Sequence, residues 1–76
     1  MSERMVEVAD ALLASQPDDV DMHILAAIGL NRLGRVGEAD GHLSQAQATN
    51  ASQVSTRAEK DQELAALLEE ILEAGG

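Results

Sequence analysis

An all-α fold follows from three features of this 76-residue sequence. Apolar residues recur at helical spacing in four stretches. The composition is rich in Ala and Leu and contains no Phe, Trp or Tyr. The breaks between stretches carry Pro17, the pair Gly34-Arg35, and the run Thr49-Asn50-Ala51-Ser52. Ala and Leu lead the helix propensity scale, whereas the β-branched and aromatic residues that favour strands are few. Hydrophobic residues make up 45% of the chain, too many for a disordered segment. The whole chain, 1–76, reads as one domain of four helices, near the lower size at which a single core suffices.

The first helix is expected over 2–16. Met5, Val8, Ala9, Leu12 and Leu13 follow the i, i+3, i+4, i+7, i+8 pattern of one apolar stripe. Ser2 suits the N-cap and Glu3 the first turn. Pro17 ends the helix, because the residue before a proline is pushed out of the α region.

The second helix is expected over 18–33. Asp18, Asp19 and Asp21 cluster at its start, which reads as capping plus a favourable interaction with the helix dipole. A calcium loop would need further spaced oxygen ligands and a glycine within a ~12-residue frame. Met22, Ile24, Leu25, Ala26, Ala27, Ile28, Leu30 and Leu33 make this helix apolar nearly all round, so it is assigned the central position. Gly34 follows its last apolar residue, where a positive φ is favoured. So short a link to the third helix, 36–49, forces an antiparallel αα-hairpin. That third helix is polar apart from Val36, Ala39, Leu43 and Ala46. The fourth helix is expected as one piece over 53–74, with Leu64, Leu67, Leu68, Ile71 and Leu72 on one face and Glu63, Glu69, Glu70 and Glu73 on the other.

Fourteen acidic side chains against five basic ones give a net charge of −9, which repels phosphate backbones and argues against nucleic acid as a partner. A helix-turn-helix regulator is a remote alternative, since the third helix offers Glu38, Asp40, His42 and Gln45 but no Lys or Arg to hold phosphates. Without cysteine there is no thiolate metal site and no disulfide. His23 and His42, the two histidines, read as structural, so no metal site is assigned. Nothing sets a nucleophile beside a base, and no glycine-rich phosphate loop is present, so neither catalytic residues nor a cofactor are assigned. No apolar run approaches the ~20 residues that span a bilayer, and the start MSERMVEVAD lacks the pattern of a secretory signal. A membrane partner is not expected, and a cytoplasmic location is the default reading.

One internal repeat emerges when the first helix is advanced by about 34 residues. Met5 then falls on Ala39, Ala9 on Leu43 and Leu12 on Ala46. The unit closing at Ala51 carries Ala27 at the helix crossing, Leu30 one turn later, Gly34-Arg35 at the turn, Glu38-Ala39 opening the second helix, then Leu43 and Ala46. It resembles the tetratricopeptide repeat family over residues 2–51, about one and a half repeats, with the fourth helix as a cap. His23 stands where the family often has a bulky aromatic, and Ala51 replaces the closing proline.

The resemblance implies a right-handed array of antiparallel hairpins whose first helices line a concave, peptide-gripping surface. Carried onto this chain, the lining is Asp21, Ile24, Leu25, Ile28, Asn31 and Arg32, an apolar patch with a polar edge. The equally open reading is plain core, with the fourth helix folded back over the patch. The functional expectation is a non-enzymatic adaptor or small chaperone that binds a protein or peptide segment. The alternatives are a homodimer paired through the second and fourth helices, or a fragment of a larger repeat protein.

Overall fold

The computed structural model describes residues 2–75, which form four helices: α1 Ser2–Ser15, α2 Val20–Arg32, α3 Val36–Lys60 and α4 Gln62–Gly75. All the regular structure among these residues is helical, and the four helices pack on one another. Pro17 stops α1, as its ring requires, and the Asp19 side chain caps α2 by accepting from the Met22 N–H at 3.2 Å. Asp18 therefore lies in the turn ahead of the helix rather than within it.

Gly34 closes α2 at φ +81°, the left-handed conformation that costs an L side chain most. Its N–H donates to the Asn31 carbonyl at 3.0 Å, and the Arg35 N–H reaches the Leu30 carbonyl at 2.9 Å. These two bonds are those of a Schellman motif, and they turn the chain directly into α3. The predicted hairpin is present.

The central place falls to α2. Val20, His23, Ile24 and the run from Ala26 to Leu30 are all buried. α1 packs on α2, α3 packs antiparallel to it, and α4 rests on both α2 and α3. One cluster holds Val6 of α1, Val20, Ile24, Ala27, Ile28 and Leu30 of α2, Ala39, Leu43, Ala46 and Val54 of α3, and Leu64 and Leu67 of α4.

Two expectations need correction. The buried edge of α1 is Val6 and Ala9, whereas Val8 and Leu12, placed on the core stripe by periodicity, are 47% and 45% exposed. The cause is a close helix crossing at Gly29: a Cβ there would stand 2.8 Å from Val6 Cγ2 and 3.1 Å from the Ser2 carbonyl oxygen. The approach at this glycine favours Val6 and turns Val8 and Leu12 outward, while Ala9 stays buried and Met5 packs at the edge of the core.

The second correction concerns the C-terminal half. The expected single helix 53–74 is two arms. Its first part continues α3 beyond a kink at Asn50, whose φ −159° and ψ 89° interrupt the helix, and Asn50 Oδ1 accepts from the Gln53 N–H at 3.1 Å. The break comes at Asp61, at φ −131° and ψ 101°. Asp61 Oδ1 there accepts from the N–H groups of Glu63 at 3.0 Å and Leu64 at 3.2 Å, which starts α4 afresh. Leu64 and Leu67 are fully buried and Leu68 and Ile71 pack beside them; the side chain of Leu72 lies outside the described residues.

The crossing and the cap make two substitutions informative. Gly29→Ala is expected to destabilise by about 1–3 kcal/mol through overpacking against Val6 and the Ser2 carbonyl, despite alanine's better helix propensity. Asp61→Ala is expected to cost about 1 kcal/mol through the lost cap. Urea unfolding followed by circular dichroism at 222 nm measures both; a more stable Gly29→Ala variant would refute the close crossing.

Candidate interaction surface

The six residues expected to line a binding surface are divided by the fold. Ile24 and Ile28 are buried, at 0% and 5% exposure, in the cluster with Val54, Leu64 and Leu67. The concave apolar patch is thus covered by the chain's own C-terminal arms, which is the core alternative. Leu25, one position round the helix from Ile24, stays half-buried. Asn31 is half-buried near the hairpin turn, and Arg32 is exposed.

The charged members hold the cover in place. Asp21 Oδ1, at the start of α2, accepts from Arg57 Nη1 at 2.9 Å and from Gln53 Nε2 at 3.2 Å, both on the second arm of α3. Arg32, at the other end of α2, makes a two-pronged pair with Glu63 of α4, Nε to Oε2 at 2.6 Å and Nη2 to Oε1 at 2.5 Å. The hydrogen bond from Arg32 holds the Glu63 carboxyl below the ordinary carboxylate range and raises the guanidinium in turn. Arg35 does the same for Glu38 at the start of α3. Exposed pairs of this kind contribute little to stability. The Asp21–Arg57 and Arg32–Glu63 contacts orient the arms, while Val54, Leu64 and Leu67 supply the burial.

What remains open to a partner lies between α1 and α2. Arg4, Met5, Val8 and Leu25 line a shallow groove whose walls are almost wholly apolar. Leu12 extends the same flank of α1 one turn beyond Val8. The Arg32 guanidinium approaches the Met5 sulfur at 3.4 Å and so links this flank to the Glu63 pair. A second, polar groove lies at the α3 kink, lined by Asp21, Asn50, Gln53, Arg57 and Lys60 among others.

One pairing escaped the sequence reading altogether. His23 and His42, 19 positions apart, face each other across the α2–α3 hairpin with their Nδ1 atoms 3.0 Å apart. The helical register held the signal, since both point toward the hairpin seam. Treating each as a lone residue hid it. Among the described residues no group of three or more His, Asp or Glu side chains is placed to hold a metal ion. No helix among them is long and apolar enough to cross a membrane.

Comparison with known proteins adds no relative: no family model matches this chain, and neither does any curated protein or solved structure.

Burial decides how the patch responds to charge. Ile28→Asp places an unpaired carboxylate in the core of a chain so short that one core rarely supplies more than about 3–5 kcal/mol, so global loss of helicity is expected. Retained helicity by circular dichroism would mean that the C-terminal arms do not stay docked over Ile28 in solution.

Proposed function

We propose that this chain is a non-enzymatic protein-interaction module, built as a tetratricopeptide-like hairpin with a docked cap and used as a cytoplasmic adaptor or small chaperone. The repeat reading is supported by the burial of Ala27, Leu30, Ala39, Leu43 and Ala46, the residues that carry the resemblance, in one cluster joining α2 and α3. The observation that carries the binding reading is the apolar flank of α1: Val8 and Leu12, nearly half exposed, beside Met5 and Leu25.

Large apolar residues one turn apart on an outer helix, next to a half-buried leucine, form a surface that loses free energy when covered. A groove between two helices takes the apolar face of a third, so an amphipathic helical segment of another protein is the partner proposed. The chain's net charge of −9 favours a segment with a basic polar face. Within the expected binding set, Leu25 retains a contact role. Ile24 and Ile28 support it from beneath, and Asp21, Asn31 and Arg32 border the covered side.

Homodimerisation through α2 and α4 is less favoured, because Ile24, Ile28, Leu64 and Leu67 are already packed within one chain. The double substitution Val8→Asp with Leu12→Asp tests the proposal. Both side chains are nearly half exposed and open to water, so helicity should hold at a modest cost in melting temperature. Affinity capture should then lose the partner retained by the unmodified chain. Light scattering decides the competing case: a dimer mass abolished by the double substitution would assign the flank to a second copy. Identical capture by both proteins would remove the flank from the function.

A further inference from the structure

The pair His23 and His42 has a geometry that restricts its protonation states. The His23 ring, 4% exposed, sets Nε2 2.7 Å from the Pro17 carbonyl oxygen. A carbonyl oxygen only accepts, so Nε2 carries a hydrogen whenever this bond is made. In the neutral ring the other nitrogen, Nδ1, is then a lone-pair acceptor, and it faces His42 Nδ1 at 3.0 Å. One hydrogen between the two Nδ1 atoms satisfies both: His42 Nδ1–H donates to His23 Nδ1. The ring centroids are 5.2 Å apart with planes tilted by 41°, an edge-on contact rather than a stack. The chain of bonds therefore runs from the α1–α2 turn through α2 to α3.

Adding protons to this arrangement is not symmetrical. A first proton is accommodated on His42 Nε2, leaving the N–H···N bond between the rings intact and now charge-assisted. The same bond survives with its hydrogen shifted if the charge rests on His23 instead, so the pair takes up this proton as a unit. A second proton puts an N–H on both facing nitrogens. No acceptor remains between them, and two like charges stand at 3.0 Å in a partly buried seam.

We propose that the His23–His42 pair is an acid-sensitive latch on the α2–α3 hairpin, closed with zero or one added proton and opened by the second.

Charged neighbours modulate the latch without removing it. Asp10 from α1 and Glu38 from α3 face His42 and favour its charged form. Glu38 is engaged by Arg35, which offsets part of that attraction. Burial and then the neighbouring imidazole outweigh both carboxylates and hold His42 below the ordinary histidine value. The unfolded chain takes up its protons near pH ~6.5. The latch contribution is therefore complete above that pH and is lost as the pH falls through the depressed folded value. The carboxylates held low by arginine, Glu38 and Glu63, act in a separate window below about pH 4.3. Acid also relieves the self-repulsion of a chain at −9, so the latch is read as a difference between two proteins.

Two measurements on the full chain test it. At pH 7.5, imidazole nitrogen shifts should report the Nε2–H tautomer at His23 and the Nδ1–H tautomer at His42. On titration to pH 4.5 the pair should ionise in two coupled steps rather than one. Urea unfolding from pH 7.5 to 5 should show His42→Asn gaining on the unmodified protein as the pH falls, because the asparagine amide supplies an N–H donor at the place of Nδ1 without titrating. Independent single-step titration of both rings at the ordinary value, or the opposite tautomers, overturns the latch. So do parallel stability profiles for the two proteins. Should His42→Asn fail to fold, the nitrogen shifts and titration of the unmodified chain decide alone.

Discussion

Everything in this fold depends on the need to cover α2. Eight of its thirteen residues are buried, and they point in nearly every direction around the helix. A helix of that kind has no stable solvent face and must be enclosed by several neighbours. With no aromatic residue to fill space, the enclosure is achieved by close approach: Ala26, Ala27, Ala39 and Ala46 are fully buried, and Gly29 admits the first turn of α1. Small contact residues bring helix axes nearer together, which lets so short a chain bury a continuous core.

That requirement also decides which apolar residues stay outside the core. Were the C-terminal third of the chain one straight helix, it could not both continue α3 and return over α2. The kink at Asn50 and the restart at Asp61 divide it into two arms, each begun by a side-chain cap that accepts backbone N–H groups. Asp21–Arg57 and Arg32–Glu63 then align the arms over Ile24 and Ile28. The surface expected to receive a peptide is occupied from within. Of the three large apolar residues left outside among the described residues, Val36 begins α3, and Val8 and Leu12 lie on α1, whose rotation is set by the crossing at Gly29. The closeness of α1 to α2 and the exposure of Val8 and Leu12 share one cause.

Polar groups inside this small molecule are few and specific. Among the described residues no buried side-chain nitrogen or oxygen lacks a hydrogen-bond partner. His23 meets that condition only through Pro17 and His42, so its satisfaction depends on the protonation of its neighbour. An aliphatic core gives stability without chemistry, and the histidine seam is where the interior becomes responsive to solution conditions.

The helical class, the ends set by Pro17 and Gly34, the central rank of α2 and the αα-hairpin were all legible in the residues. Each of these rests on local physics: a proline ring, a positive φ, or an apolar period read within one helix. Asp61 was legible as a cap ahead of Gln62-Glu63-Leu64, yet the strong leucine period that follows it drew the preceding polar stretch into the same helix. Packing between helices set which edge of the α1 stripe is buried, drew Val6 and Val54 into the core, and covered Ile24 and Ile28. It alone brought His23 to His42. Periodicity gives the direction of an apolar face to within a wide arc. The final rotation of a helix, and hence which residues remain for a partner, is set by the closest contact between helices, here the missing side chain at Gly29.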